Sequence, residues 1–412
     1  MKTNTILLGV TMMLLLALPA AASDYTLGVF GNANEDDTIN MQDVTYTELI
    51  ILEYRDKTEL SDAKYDGKIN MQDVTQIELV ILGKEKELTF TDLREEAVTI
   101  NKPLERVIIG PSTTYALMRA INAGDTLVGI CKYAIDRKVF FPELDESMSI
   151  GGYPPDFEKM FALNPDLVIA GSPTCGWGDK FAETCEAAGI PFAMPVKPTP
   201  EDLNEEEIAK LGYIFGAVED AYTYTGVLHD NVADLTEMTA EIPEEDKPRV
   251  YIEAMKDYKA CGVTSYPNMI CEIAGGKNVA YDTIPDRCAV VDPEWVVEQN
   301  PDIIIKMMSS GKSGYELDDS QDMVAARDAI MNRPELSNVK AVENGRVYVI
   351  SCSIACGYSY INGIPYIMKV VHPERFSDLD PTEVHQRDVD FQGLDFDVKE
   401  RGVFIYPPFV EN

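Results

Sequence analysis

Between Glu219 and Glu241 the residues Ala221, Thr225, Leu228, Val232 and Leu235 recur at three- and four-residue steps. That spacing predicts one long helix with a single apolar stripe. Gly216 ends a shorter helix before it, and the run from Pro243 to Pro248 ends this one. At about 1.5 Å per residue the helix is about 35 Å long, roughly the width of a small domain. On both sides short apolar blocks alternate with amphipathic ones. Before it, strands are expected over Arg106–Gly110, Thr126–Ile130, Asp166–Ala170 and Ile190–Met194, with helices over Ser112–Ala123, Phe157–Leu163 and Phe181–Ala188. After it, strands are expected over Arg249–Ala254, Asp302–Lys306 and Arg346–Ile350, with helices over Pro293–Gln299 and Asp322–Met331. Short apolar strands between helices imply parallel α/β sheets. The expected fold is therefore two parallel-sheet α/β lobes joined by one long rigid helix, with the working cleft between them. The boundaries are an N-lobe at 103–200, a linking helix at 203–242 and a C-lobe at 247–412, together one domain at 103–412.

Residues 31–84 hold an internal repeat. INMQDVT occurs twice, with Asn40 and Asn70 in matching places, and each copy leads into an apolar helix pattern. The preceding loops carry oxygen side chains at spacings that suit Ca²⁺, a hard cation that takes several flexible oxygen ligands. In the second loop Asp62, Asp66 and Asp73 fall at positions 1, 5 and 12, Gly67 at the turn, and Lys68 offers its backbone carbonyl. In the first, Asn32, Asn34, Asp36, Thr38 and Asp43 fill the equivalent places. This stretch resembles a type I dockerin, a small all-α module of duplicated F-hand loops. The resemblance implies bound Ca²⁺ and a cohesin-like partner, with Met41-Gln42 and Met71-Gln72 helping to choose it. Lys64, where an oxygen is expected, and Asp37, where a glycine is expected, depart from the pattern. The module is placed at 24–86, followed by a linker at 87–102.

The amino terminus changes the setting. Lys2, the apolar run Ile6–Leu18 and Ala20-Ala21-Ala22 read as a signal peptide over 1–22. The mature chain is expected to be secreted, extracellular or at the cell surface. Its formal net charge of −35 argues against nucleic acid, whose phosphates it would repel. Eight cysteines in an exported chain suggest disulfides. Cys261 with Cys271 and Cys352 with Cys356 are near neighbours in sequence, although pairing is not deducible from it.

The two lobes echo each other. DFEKMFALNPDLVIA matches DPEWVVEQNPDIIIK, so Glu158 and Glu294 each open a helix that runs through Asn-Pro-Asp into a buried strand. With FTDLREEAVTINKPLERVIIGPS, IAGGKNVAYD, AVENGRVYVI and YIMKVVHPERFSDLDP, these stretches make residues 90–412 resemble the class III substrate-binding proteins of ABC importers, which carry ferric siderophores, haem and cobalamin. The resemblance implies one acidic residue per lobe facing the permease dimer; by motif position these are Glu158 and Glu294. It also implies a metal-chelate ligand in the cleft. Loops at the carboxyl ends of the strands are rich in aromatics, which suit large planar ligands. The ligand candidates are Tyr115, Tyr133, Arg137, Tyr153, Trp177, Tyr258, Tyr315 and Tyr358. Of the three histidines, His229 falls in the long helix and His372 and His385 near the carboxyl terminus, so no trio falls in the cleft and a bare zinc or manganese site is not expected. No nucleophile elbow, phosphate loop or dinucleotide fingerprint appears, so no enzyme is expected. The competing reading is a cell-surface assembly or adhesion protein using the binding-protein fold as a scaffold.

Overall fold

The computed structural model describes residues 25–409 apart from 153, 171–178, 197–204 and 286, and leaves the side chains of 179, 180 and 358 undescribed. The signal segment expected at 1–22 lies outside the described residues, as do Tyr153 and Trp177.

The repeat forms two helices, α1 (Met41–Ile51) and α2 (Met71–Ile81). Asn40 and Asn70 cap them in the same way: each side-chain oxygen takes an N–H of the first turn, and Asp43 or Asp73 reaches back to the cap residue's own N–H. The segment expected as a linker is instead a hairpin of β1 (Glu87–Thr91) and β2 (Ala97–Asn101). Its apolar positions, Leu88, Phe90, Val98 and Ile100, are all buried, but they are few and set among charged residues, so no strand period shows in the sequence. The hairpin holds the module down. Val29 bridges Phe90, Leu93 donates its N–H to the Met194 carbonyl, and Gln76 donates to the Glu87 carbonyl.

The N-lobe is a four-stranded parallel sheet in the order β4-β3-β5-β6. Its strands are β3 (Val107–Ile109), β4 (Leu127–Ile130), β5 (Leu167–Ile169) and β6 (Phe192–Ala193), with helices α3 (Ser112–Ala120), α4 (Lys132–Ile135), α5 (Phe157–Ala162) and α6 (Asp179–Ala187). Helix α7 (Glu205–Phe215) then stops at Gly216, whose φ of +71° is open to glycine, and α8 (Val218–Ala240) follows. The linking segment is thus two helices. The 23-residue α8 buries Ala221, Tyr224, Leu228, Leu235 and Thr239 along one stripe.

The C-lobe sheet is separate and mixed. Its order is β10-β8-β7-β11-β12-β13, with β9 also on β7. Its strands are β7 (Arg249–Glu253), β8 (Lys259–Cys261), β9 (Lys277–Asn278), β10 (Cys288–Val290), β11 (Ile303–Met308), β12 (Val347–Ser351) and β13 (Ile405–Tyr406). The central trio β7-β11-β12 is parallel, as expected, while β8, β10 and β13 add antiparallel edges. Its helices are α9 (Tyr266–Ile273), α10 (Pro293–Gln299), α11 (Gln321–Met331), α12 (Lys340–Glu343), α13 (Cys352–Ala355), α14 (Gly363–Val371) and α15 (Pro381–Phe391). None of the described helices is long and apolar enough to cross a membrane.

Candidate functional site

The matched acids sit on matched scaffolds. Asp156 caps α5 and Asp292 caps α10, each with its carboxylate on a first-turn N–H, and Glu158 and Glu294 stand exposed in those turns. Both helices run into a left-handed asparagine, Asn164 (φ +44°) and Asn300 (φ +42°), a conformation asparagine tolerates. Asp166 then accepts the N–H groups of Glu105 and Arg106, and Asp302 accepts that of Arg249. Arg106 and Arg249 close the pattern by donating to the Leu163 and Gln299 carbonyls. One device therefore fixes an exposed acid on each lobe.

Ligands of open α/β sheets gather outside the carboxyl ends of the strands. There the lobes touch through an aromatic wedge. Phe140 of the N-lobe lies 4.7 Å from the ring of Tyr315, which also packs on Phe396, Phe404 and His385. Glu316 accepts the N–H groups of Val139 and Phe140 at 3.0 and 3.1 Å. Arg137 and Arg119 each lie over Phe140 and Phe141, and Arg119 donates to Gln392 across the lobes at 2.7 Å. Burial pulls both guanidinium groups below their usual range, partly offset by Tyr315 and Glu316 for Arg137 and by Glu143 for Arg119. The Tyr315 hydroxyl meets His385 Nε2 at 2.6 Å, and burial pushes that imidazole down to about 3.

This corrects part of the aromatic expectation. Tyr115 is 4% exposed and donates to Glu143, and Tyr315 is 1% exposed. Both rings pack into the wedge, and their hydroxyls have partners within the protein's own chain, the surface Glu143 for Tyr115 and the buried His385 for Tyr315. Arg137 is also turned onto the wedge. Tyr133, 54% exposed, stays at the lip with its hydroxyl beside Gly152. Tyr258 is half-buried under Arg333, 4.4 Å away, and donates to Glu335. Tyr358 lies in the turn 357–362, where Gly357 approaches Thr113 of the N-lobe.

Sequence reasoning missed two features. Glu253, fully buried at the end of β7, binds Lys306 at 2.7 Å and Arg333 through both oxygens at 2.7 and 3.0 Å. A charged residue closing each of two apolar strands, RVYIE and IIIK, was the available signal. The second is the partner of Cys261, which is Cys288 across the strands; Cys352 and Cys356, neighbours in sequence, do interact nearby, with Met255 beside Cys352. Cys271, the nearer neighbour of Cys261 in sequence, is buried in α9 instead.

In the repeat, Asp62 accepts the N–H groups of Asp66 and Gly67, and Asp66 that of Lys68. Gly67 makes its turn at φ +83°, whereas Asp37, its counterpart, gives its carbonyl to Tyr222. Lys64 points away, towards Glu87. Asn32 Oδ1 is buried without a partner, and burial raises Asp43 to about 6. These are oxygens that a hard cation would satisfy, so the residues fit Ca²⁺. Among the described residues no three histidine, cysteine or acidic side chains are already gathered to hold a metal.

Two separate sheets, a helical connection and one matched, exposed acid on each lobe are the architecture of a two-lobed binding protein. A model of the periplasmic binding protein family matches residues 143–352, more than half of the chain, and the chain belongs to that family. Its members are transport solute-binding proteins and not enzymes. An uncharacterized lipoprotein of Methanocaldococcus jannaschii is 24% identical over 274 residues, 60% of this chain and 60% of that protein's length. The molybdate-bound periplasmic binding protein MolA of Haemophilus influenzae superposes with a TM-score of 0.62 at 18% identity, covering 75% of this chain and 98% of that one. The Ni-His complex of CeuE from Helicobacter pylori gives 0.60 at 20%, covering 76% and 97%. An Fe³⁺-hydroxamate transport protein of Saccharomonospora viridis gives 0.54 at 23%, covering 69% and 98%. At these identities the likenesses define the fold.

Proposed function

We propose that this protein is the extracytoplasmic solute-receiving component of an ABC importer. It captures a metal chelate of the iron-siderophore, haem or cobalamin type between its lobes and presents it to a permease dimer. The carrying observation is the pair of exposed acids, Glu158 and Glu294, fixed by the same cap, left-handed asparagine and Pro-Asp in both lobes. Two arginine-bearing permease subunits would meet one acid each. The neighbours bound to molybdate and to Ni-His, and the one named for Fe³⁺-hydroxamate, support a metal-bearing ligand. Tyr133, exposed beside Gly152, offers an aromatic face for it.

The amino-terminal repeat serves, in this reading, as a Ca²⁺-stiffened docking module for a cohesin-like partner. Asp62, Asp66, Asp73 and the Lys68 carbonyl hold the ion in the second loop, and Asn32, Asn34, Asp36, Thr38 and Asp43 in the first. Met41, Leu52, Tyr54, Met71 and Leu82 are exposed on or beside the paired helices, an apolar surface that a partner would cover. Isothermal titration of the full-length protein with ferric hydroxamate, ferric catecholate, haem and cobalamin tests the transport reading. Saturable binding of one chelate supports it; no binding by any of the four, with the protein folded, refutes it.

A further inference from the structure

The C-lobe wall carries a pair of thiols that the solute-binding role does not need. Cys261 in β8 and Cys288 in β10 are direct Cα partners in an antiparallel ladder, with Sγ atoms 3.5 Å apart. Gly262 donates its N–H to the Arg287 carbonyl, and Val291 donates to the Tyr258 carbonyl. Those hydrogen bonds put the Cys261–Cys288 pair at a non-hydrogen-bonded position, where Cα atoms approach to about 4.5 Å and side chains lie closest. That separation falls within the usual range for a disulfide, about 4.4–6.8 Å. The two thiols differ in access: Cys261 is buried and Cys288 half-buried.

We propose that Cys261 and Cys288 form a reversible cross-strand disulfide, a redox-modification site in the wall of the interlobe cleft. Cys288 reacts first. Its thiolate attacks one sulfur of an oxidant disulfide, small-molecule or protein, and expels the other as a thiolate. Cys261 then loses its proton and attacks the Cys288 sulfur of the mixed disulfide, expelling the second thiolate. Two protein thiols lose two protons and two electrons, and the oxidant disulfide gains the electrons to become two thiols. The electrostatics agree with this order. The hydrogen bond shared with Cys261 draws Cys288 below the usual thiol range, against its burial and with help from Lys259 and Arg287, while the same bond and burial push Cys261 up. The thiolate is the nucleophile, so the lower and more accessible thiol attacks.

The pair also has neighbours. Cys356 interacts electrostatically with both Cys261 and Cys288, and Gly357, the next residue, approaches Thr113 of the other lobe. The bond would tie the β8–β10 edge together where the C-lobe faces the N-lobe.

The test is peptide mapping of the full-length protein after treatment with oxidised glutathione or a phosphine reductant, with free thiols alkylated before digestion. The expected result is an intact mass two hydrogens lower, with the Cys261 and Cys288 peptides joined, and reversal by the reductant. Cys261→Ser should trap glutathione on Cys288, whereas Cys288→Ser should leave Cys261 unmodified. Separately alkylated Cys261 and Cys288 after oxidation, or a bond from either to Cys352 or Cys356, would overturn the proposal. The mapping of the unmutated chain stands even if a variant fails to fold, and it is independent of which solute binds.

Discussion

Removing the Glu253 carboxylate should destabilise the C-lobe more than any other single polar change in its sheet. The residue has no exposed surface, and Lys306 and Arg333, which it pairs, are nearly buried as well. Burial pulls the Arg333 guanidinium down, but its two-pronged contact with Glu253 more than offsets this and raises it on balance. Glu253→Ala would leave two cations in the interior. Breaking one side of a buried ion network costs about 3–5 kcal/mol, because the remaining charge stays desolvated. Asp257 tempers this: it lies 3.3 Å from Lys306 and 2.9 Å from Arg333, though its side chain is 74% exposed. A loss near the lower end, about 3 kcal/mol, is therefore expected. Replacing all three of Glu253, Lys306 and Arg333 by methionine removes the buried charges together, leaving only the largely exposed Asp257, and should cost less than the single change, about 1–2 kcal/mol, from the lost Arg333–Tyr258 stacking and the Tyr258 N–H that Glu253 accepts. Urea unfolding followed by circular dichroism, with unchanged slopes, measures both. If Glu253→Ala cost under about 1 kcal/mol, or the triple variant cost as much as the single one, the desolvation argument would fail.

Glu158→Lys and Glu294→Lys should each reduce chelate uptake in a reconstituted importer, and together abolish it, with solute affinity unchanged within about twofold; a parallel fall in affinity would contradict a docking role. Adding Ca²⁺ to the full-length protein should raise its thermal midpoint and a chelator should reverse this, the effect shrinking in Asp62→Ala and Asp73→Ala; a midpoint indifferent to both reagents argues against the ion. His385 stays neutral in the fold, held down to about 3, whereas an unfolded histidine takes a proton near pH 6.5. Its contribution to stability is therefore complete above pH 6.5 and is lost as pH falls towards 3, at about 1.4 kcal/mol per pH unit. His385→Gln should flatten that part of the stability curve measured by denaturant titration at successive pH values, and an unchanged slope would refute the assignment.

Periodicity carried the lobes well. The strands at Val107–Ile109, Leu127–Ile130 and Ile303–Met308 and helix α10 lie where apolar blocks and Asp-Pro or Asn-Pro punctuation placed them, because each is buried against neighbours of its own lobe. Non-local pairing was not legible. The β1–β2 hairpin looked like a charged linker because its register depends on Val29 and Met194, both distant in the chain. The antiparallel edges β8 and β10 were missed for the same reason, and with them the partner of Cys261, 27 residues away rather than ten as Cys271 is. The aromatics misled in an instructive way. Tyr115 and Tyr315 follow strand ends, as ligand residues should, yet a phenol whose hydroxyl reaches Glu143 at the surface or His385 in the interior can bury its ring without penalty, and both do.

The wedge sets how the lobes can move. A cleft that opens widely would have to break the Phe140–Tyr315 contact, the Arg119–Gln392 hydrogen bond and both N–H groups held by Glu316. Those two hydrogen bonds are part-buried, so each carboxylate-bound N–H that is released costs about 1 kcal/mol rather than the full penalty of a buried orphan. Helix α8 adds a second contact, since its buried stripe runs from Ala221 to Thr239, with Gly226 on its exposed face. Two fixed points allow rocking about the line that joins them and resist twisting across it. If solute is captured between the lobes as proposed, these contacts favour a small angular closure over a wide opening, with Tyr115 and Tyr315 packed in the wedge about which the lobes would rock.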